Sequence, residues 1–320
     1  NSKRVLIMNK LKLIILTTIL SLSASIASAQ STESCTKSSG NIIKIEDAAS
    51  SNPFKVSSGA ATDACSEIPD NYRINIFKFG LCTANPLPAN DLSSCSFLID
   101  SDTAVTHVIS GVGVGSTLNT NSTIAPGAYG YMVMLMTNKL EIKHTQTYDG
   151  TIYAKPNGGT ETSGVKCWSL ADYGTSFGNW GTEFDGKGSP DNSGLTCGAA
   201  NATLVNYGYT SEIFDAIGPG EGEGSWMADT EDPFQQEAGT MDARLLQIDN
   251  VTTATSYADA KRMLVVLDFT TDKVVTPNSQ IELKFKLTDS VSVDHSLSNS
   301  KIYAVKLGAD PFQVDFVITN

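Results

Sequence analysis

The stretch TIAPGAYGYMVMLMTNKLEIKHT (Thr123–Thr145) runs from a Pro-Gly pair into a dense apolar segment and then a short alternation. Successive side chains of an extended chain point to opposite faces. Met132, Met134 and Met136 therefore share one face, and Tyr131, Val133 and Leu135 the other. Both faces are apolar. A strand of this kind belongs in the middle of a sheet, with a facing sheet over one side and a loop or segment over the other. Pro126-Gly127 predicts a type II turn before it, with Gly127 at the φ > 0 position. After Asn138, Leu140-Glu141-Ile142-Lys143 predicts a shorter strand.

The same signals recur along the chain. YRINIFKFGLC (Tyr72–Cys82) places Ile74, Ile76 and Phe79 among polar partners, and SFLID (Ser96–Asp100), AVTHVISGVGVG (Ala104–Gly115) and TIYAK (Thr151–Lys155) follow. Near the carboxyl end RMLVVLDF (Arg262–Phe269), QIELKFKLTDSVSV (Gln280–Val293), KIYAVKLG (Lys301–Gly308) and DPFQVDFVIT (Asp310–Thr319) repeat the pattern. Helical periodicity is confined to short turns around Ala238–Gln247 and Tyr257–Met263. Many short strands divided by Gly, Pro, Asn and Asp predict an all-β protein, an antiparallel β-sandwich clipped by disulfides.

Ile74–Cys82, Pro126-Gly127 and Tyr129 together resemble the strand entry of prealbumin-like and immunoglobulin-like β-sandwich domains of secreted bacterial surface proteins. The resemblance spans Tyr72 to Lys143. It implies a sandwich fold and a surface or adhesive role, and it carries over no catalytic residue.

At the amino end Lys10 and Lys12 precede a largely apolar run, Leu13–Leu22, and Ala27-Ser28-Ala29 forms a small-x-small cleavage site. This pattern predicts a signal peptide over residues 1–29, cut before Gln30, with Met8 a better initiator than Asn1 and residues 1–7 upstream translation. No later run is long and apolar enough to be expected to span a bilayer as a helix. Cleavage would remove Lys3, Arg4, Lys10 and Lys12 and no acid, taking the net charge from −12 to −16. Such a surface repels nucleic acid and anionic lipid and attracts cations. The six cysteines, Cys35, Cys65, Cys82, Cys95, Cys167 and Cys197, contain no C-x-x-C spacing and have no His nearby. In a secreted chain they read as three disulfides, with sequential pairing favoured because each bond closes a modest local loop.

These signals divide the mature chain into an amino-terminal arm (30–70), a first part of the sandwich (71–165), an insertion (166–242) and carboxyl-terminal strands (243–320). From Gly188 to Ala243 there are ten acids and no Lys or Arg. ATLVNYGYT (Ala202–Thr210) is the only strand signal within the insertion. Glu183, Asp185, Asp191 and Asn192 lie on a Gly-rich turn and offer the oxygen donors that Ca²⁺ takes, although their spacing is not that of an EF-hand. Trp168, Trp180, Trp226 and Tyr173 offer either a platform for stacking sugars or a small aromatic core for the insertion. Gly174-Thr175-Ser176-Phe177-Gly178 matches the hydrolase pattern G-x-S-x-G, but Gly- and Asp-rich sequence follows it where that mechanism needs a helix. The expected role is a secreted structural or binding protein, adhesin-like or part of an extracellular assembly, through self-association or a surface partner. The alternative is a carbohydrate-binding or carbohydrate-active protein. No cofactor other than Ca²⁺ is implied.

Overall fold

The computed structural model describes residues 33–110, 123–156, 159–176, 194–217, 234–310 and 312–319. They include a short 3-10 turn at Leu87–Ala89 and are otherwise dominated by strands. The strands begin with β1 (Lys37–Ser39), β2 (Ile42–Ile43), β3 (Phe54–Lys55), β4 (Ala61–Thr62) and β5 (Ala64–Glu67). Next come β6 (Asn71–Cys82), β7 (Cys95–Ser110), β8 (Gly127–Thr137), β9 (Lys139–Lys143), β10 (Thr145–Ala154) and β11 (Thr162–Ser169). Then follow β12 (Tyr173–Ser176), β13 (Leu195–Gly198), β14 (Thr210–Ile213), β15 (Phe234–Gln236) and β16 (Gly239–Leu246). The last are β17 (Arg262–Val275), β18 (Gln280–Lys286), β19 (Val291–Ser298), β20 (Lys301–Ala309) and β21 (Gln313–Thr319).

A nine-stranded sheet runs β12-β14-β9-β6-β8-β17-β16-β15, with β7 on the other side of β6. The methionine-rich strand β8 is central, with Met134 opposite Phe79 of β6 and Val265 of β17. Met132, Met134 and Met136 enter the main core with Ile74, Ile76, Leu81 and Leu267. Val133 and Leu135 enter a second cluster with Phe77, Leu87, Leu246, Leu264 and Val266. The covering segment on that side includes the β6–β7 connection, which carries Leu87 and is closed by the Cys82–Cys95 disulfide. Arg244 pins it by donating from Nη1 to the Leu87 carbonyl and, at 3.1 Å, to Asn90 Oδ1. Gly127 departs from expectation. It takes no positive φ, because pairing with Val275 makes it the first extended residue of β8. The turn is held instead by the Tyr129 hydroxyl, which donates to the Ala125 carbonyl at 2.7 Å.

The second large sheet runs β1-β2-β10-β20-β19-β5, with β11 on β10 and β13 on β11. Its hydrogen bonding closes into a circuit. The Cys35 N–H donates to the Ser66 carbonyl on β5, and the Lys44 N–H, just past β2, donates to the Thr36 carbonyl. The Cys35–Cys65 disulfide fastens this seam. The pairings are mostly antiparallel, but β2–β10, β10–β20 and β12–β14 are parallel, which corrects the wholly antiparallel expectation. Long connections bring these pairs together in the same direction, as parallel pairing requires.

β18–β21 forms a separate two-stranded unit that continues the β19–β20 hairpin. Lys286 lies opposite Gln313 and Val291 opposite Ala309, so the pairing of the ribbon stops at the first pair and resumes at the second. Phe285, Phe312, Val314 and Phe316 enter the main core with residues from both large sheets. The strand expected at the carboxyl end is therefore present and turns its apolar face inward.

Other expectations change. SFLID and the part of AVTHVISGVGVG up to Ser110 are one bulged strand, β7, and Gly111–Gly115 lie outside the described residues. The helical turn expected at Ala238–Gln247 is largely strand β16, in register with β17 from Gly239 to Leu246. ATLVNYGYT contributes an isolated Leu170–Tyr207 bridge and, at Thr210, the start of β14. The region expected to lack other regular structure contains β12, β13, β14 and β15.

Candidate functional site

KIYAVKLG sets a lysine inside an apolar run. Ile302, Ala304, Leu307 and Ala309 of β20 enter the core, and the bulge near Val305 turns Lys306 and Gly308 to the other face. Opposite them on β19 stand Asp294 and Ser292, and Ser66 of β5 is opposite Ser292. Where many sheets turn such a face to water, this one is covered by β14.

Glu212 of β14 brings Oε1 to 2.7 Å from Lys306 Nζ, with the two side chains 1% and 0% exposed. Its Oε2 accepts the N–H of Ala309. A Cβ on Gly308 would lie 2.9 Å from Ser292 Oγ, so glycine there leaves room for that hydroxyl, while Glu212 Oε2 would stay at an ordinary contact distance of 3.9 Å. Next to the pair, Asp310 accepts the hydroxyls of Ser66 (3.1 Å) and Ser292 (3.3 Å), and its carbonyl accepts the Tyr72 hydroxyl at 3.3 Å. Burial raises the Asp310 carboxyl well above the ordinary range, and the nearby charges of Glu212 and Asp294 add to this. Burial likewise raises Asp294 to about 6, opposed by the charge of Lys306. Glu212, Asp310 and Lys306 are shut off from water and Asp294 is half-buried beside them, so carboxyls surround one amine where the two large sheets meet. The cluster can store or pass a proton, and it can join carboxyl to amine.

The three sequential disulfides are present: Cys35–Cys65, Cys82–Cys95 and Cys167–Cys197. The last two join residues directly opposite on paired strands.

Of the aromatic candidates, Trp168 and Tyr173 lie among the described residues. Trp168 is buried on β11, and its Nε1–H donates to the Val205 carbonyl at 3.0 Å, so its ring serves as packing for the 194–210 region. Tyr173 is half-buried at the start of β12. Trp180 and Trp226 lie outside the described residues, as do Glu183, Asp185, Asp191 and Asn192. Among the described residues no three His, Cys, Asp or Glu side chains converge as metal ligands. Tyr207 and Tyr209 have their ring faces occupied by Lys143 Nζ (4.3 Å) and the Arg73 guanidinium (4.0 Å). Arg73 also binds Glu141 through Nε (2.8 Å) and Nη2 (2.6 Å). This set clamps the 207–209 segment to β6 and β9.

Sequence reasoning missed the Lys306 cluster. The available signal was a lysine in a strand whose neighbours on both faces are apolar, which demands a buried counter-charge from elsewhere. Nothing in the sequence names Glu212, 94 residues earlier, as that partner. No protein-family model, curated protein or solved structure matches the chain.

Proposed function

We propose that this is a secreted structural or binding protein of a bacterial surface, adhesin-like, built as a Ca²⁺-stabilised β-sandwich carrying the acidic 166–242 insertion. The observation that carries the reading is the edge made by β7. This strand of 16 residues has β6 as its one strand neighbour among the described residues. Its half from Thr103 to Ser110 bears no Asp, Glu, Lys or Arg and leaves Val105 and Val108 each 44% exposed. Edge strands template pairing with further strands, and proteins that avoid this blunt them with lysine, proline or short length. On an acidic molecule, this uncharged strip is where a second copy can approach without like-charge repulsion. Antiparallel pairing of β7 with β7 of a second copy is the expected contact.

Sedimentation velocity and negative-stain microscopy over rising protein concentration test the reading, with wild type beside a Val105→Lys, Val108→Lys variant. Concentration-dependent oligomers in wild type that the variant lacks are expected. Wild type that stays monomeric throughout, or a variant that assembles equally well, overturns the reading.

A further inference from the structure

We infer that Lys306 and Glu212 condense to form an intramolecular isopeptide bond, a covalent tie between β20 and β14 and so between the two large sheets. Nζ lies 2.7 Å from Oε1 with both side chains shut off from water. Isolating two charges in such a place carries a desolvation penalty of several kcal/mol per ion, and only well-made electrostatic contacts offset it. The two groups meet as an ion pair outside hydrogen-bond alignment; once a small rotation aligns them, proton transfer from the ammonium to the carboxylate yields a neutral amine beside a neutral acid without any outside reagent.

The Nζ lone pair then attacks Cδ of Glu212. Negative charge develops on Oε2, the oxygen that accepts the Ala309 N–H, so a backbone donor is already in place for it. The tetrahedral carbon expels Oε1, which carries the transferred proton and takes a second from the attacking nitrogen. One C–O bond breaks, one C–N bond forms, and one water leaves. Nothing is oxidised or reduced. The Asp310 carboxyl is buried alongside, where burial raises it well above the ordinary carboxylate range and so limits the negative charge set against the reacting pair. Exclusion of water then protects the amide from hydrolysis.

Peptide mapping of the reduced full chain by mass spectrometry tests the inference, with intact mass measured for wild type and Lys306→Arg side by side. Wild type should yield a branched peptide joining the Glu212 and Lys306 segments. The intact masses should differ by the Lys-to-Arg change plus one water. If Lys306→Arg fails to fold, the wild-type map still decides, and Glu212→Ala supplies a second control that must lack the branched peptide. Separate, unlinked Glu212 and Lys306 peptides from folded wild type, with no water missing from the intact mass, overturn the inference.

Discussion

His295 shows how much a single buried ring can fix. Its Nδ1 lies 3.1 Å from the Asp63 carbonyl and its Nε2 2.9 Å from the Tyr148 hydroxyl, with the Phe54 ring centroid 4.4 Å away. A carbonyl only accepts, so Nδ1 carries the hydrogen and Nε2 accepts from Tyr148. Burial holds this neutral ring down to about 3, and His144, also buried, down to about 4. The unfolded chain takes up these protons near the ordinary histidine value and the folded chain does not. Both rings therefore favour the fold above about pH 6.5, and that contribution is lost as pH falls through the range below it. Asp294 has the opposite sign. Its carboxyl stays protonated in the fold up to about 6, so its contribution is greatest at low pH and is lost as pH rises through that value. Nitrogen NMR should show His295 as the neutral Nδ1–H tautomer from pH 8 to pH 4, and a titration near 6.5 would contradict the assignment. Asp294→Asn should raise the melting temperature by several degrees at pH 8 and by little at pH 4; an equal change at both would show that charge is not the cause. A sequence alone does not reveal such a ring's role, because its partners come from distant strands.

At the scale of the element, legibility followed the hydrophobic pattern. β8 could be read from the sequence because both of its faces are apolar, and its two coverings are the ones that pattern requires. β16 could not, since GTMDARLL mixes Ala, Arg and Leu in a way that suits a helix and is held extended by its pairing with β17. Turn chemistry gives one test. Asn299 and Ser300 join β19 to β20 with φ of 50° and 61°, the positive values that a two-residue hairpin turn demands. Serine tolerates that region poorly, so Ser300→Gly should stabilise the protein by up to about 1 kcal/mol in a denaturant titration. A destabilised variant would show that the serine side chain has a role of its own. Close approach gives another test. A Cβ on Gly80 would lie 2.1 Å from the Ser96 carbonyl oxygen, at a register shift between β6 and β7. Gly80→Ala must push the two strands apart beside the Cys82–Cys95 bond, at a cost of about 1–3 kcal/mol. Unchanged thermal stability would mean that the strands yield freely there.

Across the whole molecule, charge is arranged by topology rather than by proximity in sequence. The stretch Gly188–Ala243 contains ten acids and no base, yet Glu212 meets Lys306 and Glu237 meets Lys286 at 2.6 Å. The β18–β21 and β19–β20 ribbon supplies the basic side chains that this stretch lacks. Six further acids of the stretch, Asp191, Glu221, Glu223, Asp229, Glu231 and Asp232, lie outside the described residues, as do Glu183 and Asp185 just upstream. Their mutual repulsion is the reason to expect Ca²⁺, which takes carboxylate and carbonyl oxygens on flexible loops, with affinities of about 10⁻⁴–10⁻³ M in extracellular modules. A metal that binds only the native state raises the melting temperature as its concentration rises. Simple screening acts on any charge, with a Debye length of about 10 Å at 0.1 M salt, and does not distinguish one salt from another at equal ionic strength. Thermal melting in CaCl₂, MgCl₂ and NaCl of matched ionic strength separates the two effects. Calcium should raise the melting temperature by several degrees beyond NaCl, and the excess should shrink in an Asp185→Ala, Asp191→Ala variant. Equal shifts in all three salts would reduce the acidic segment to a screened surface charge.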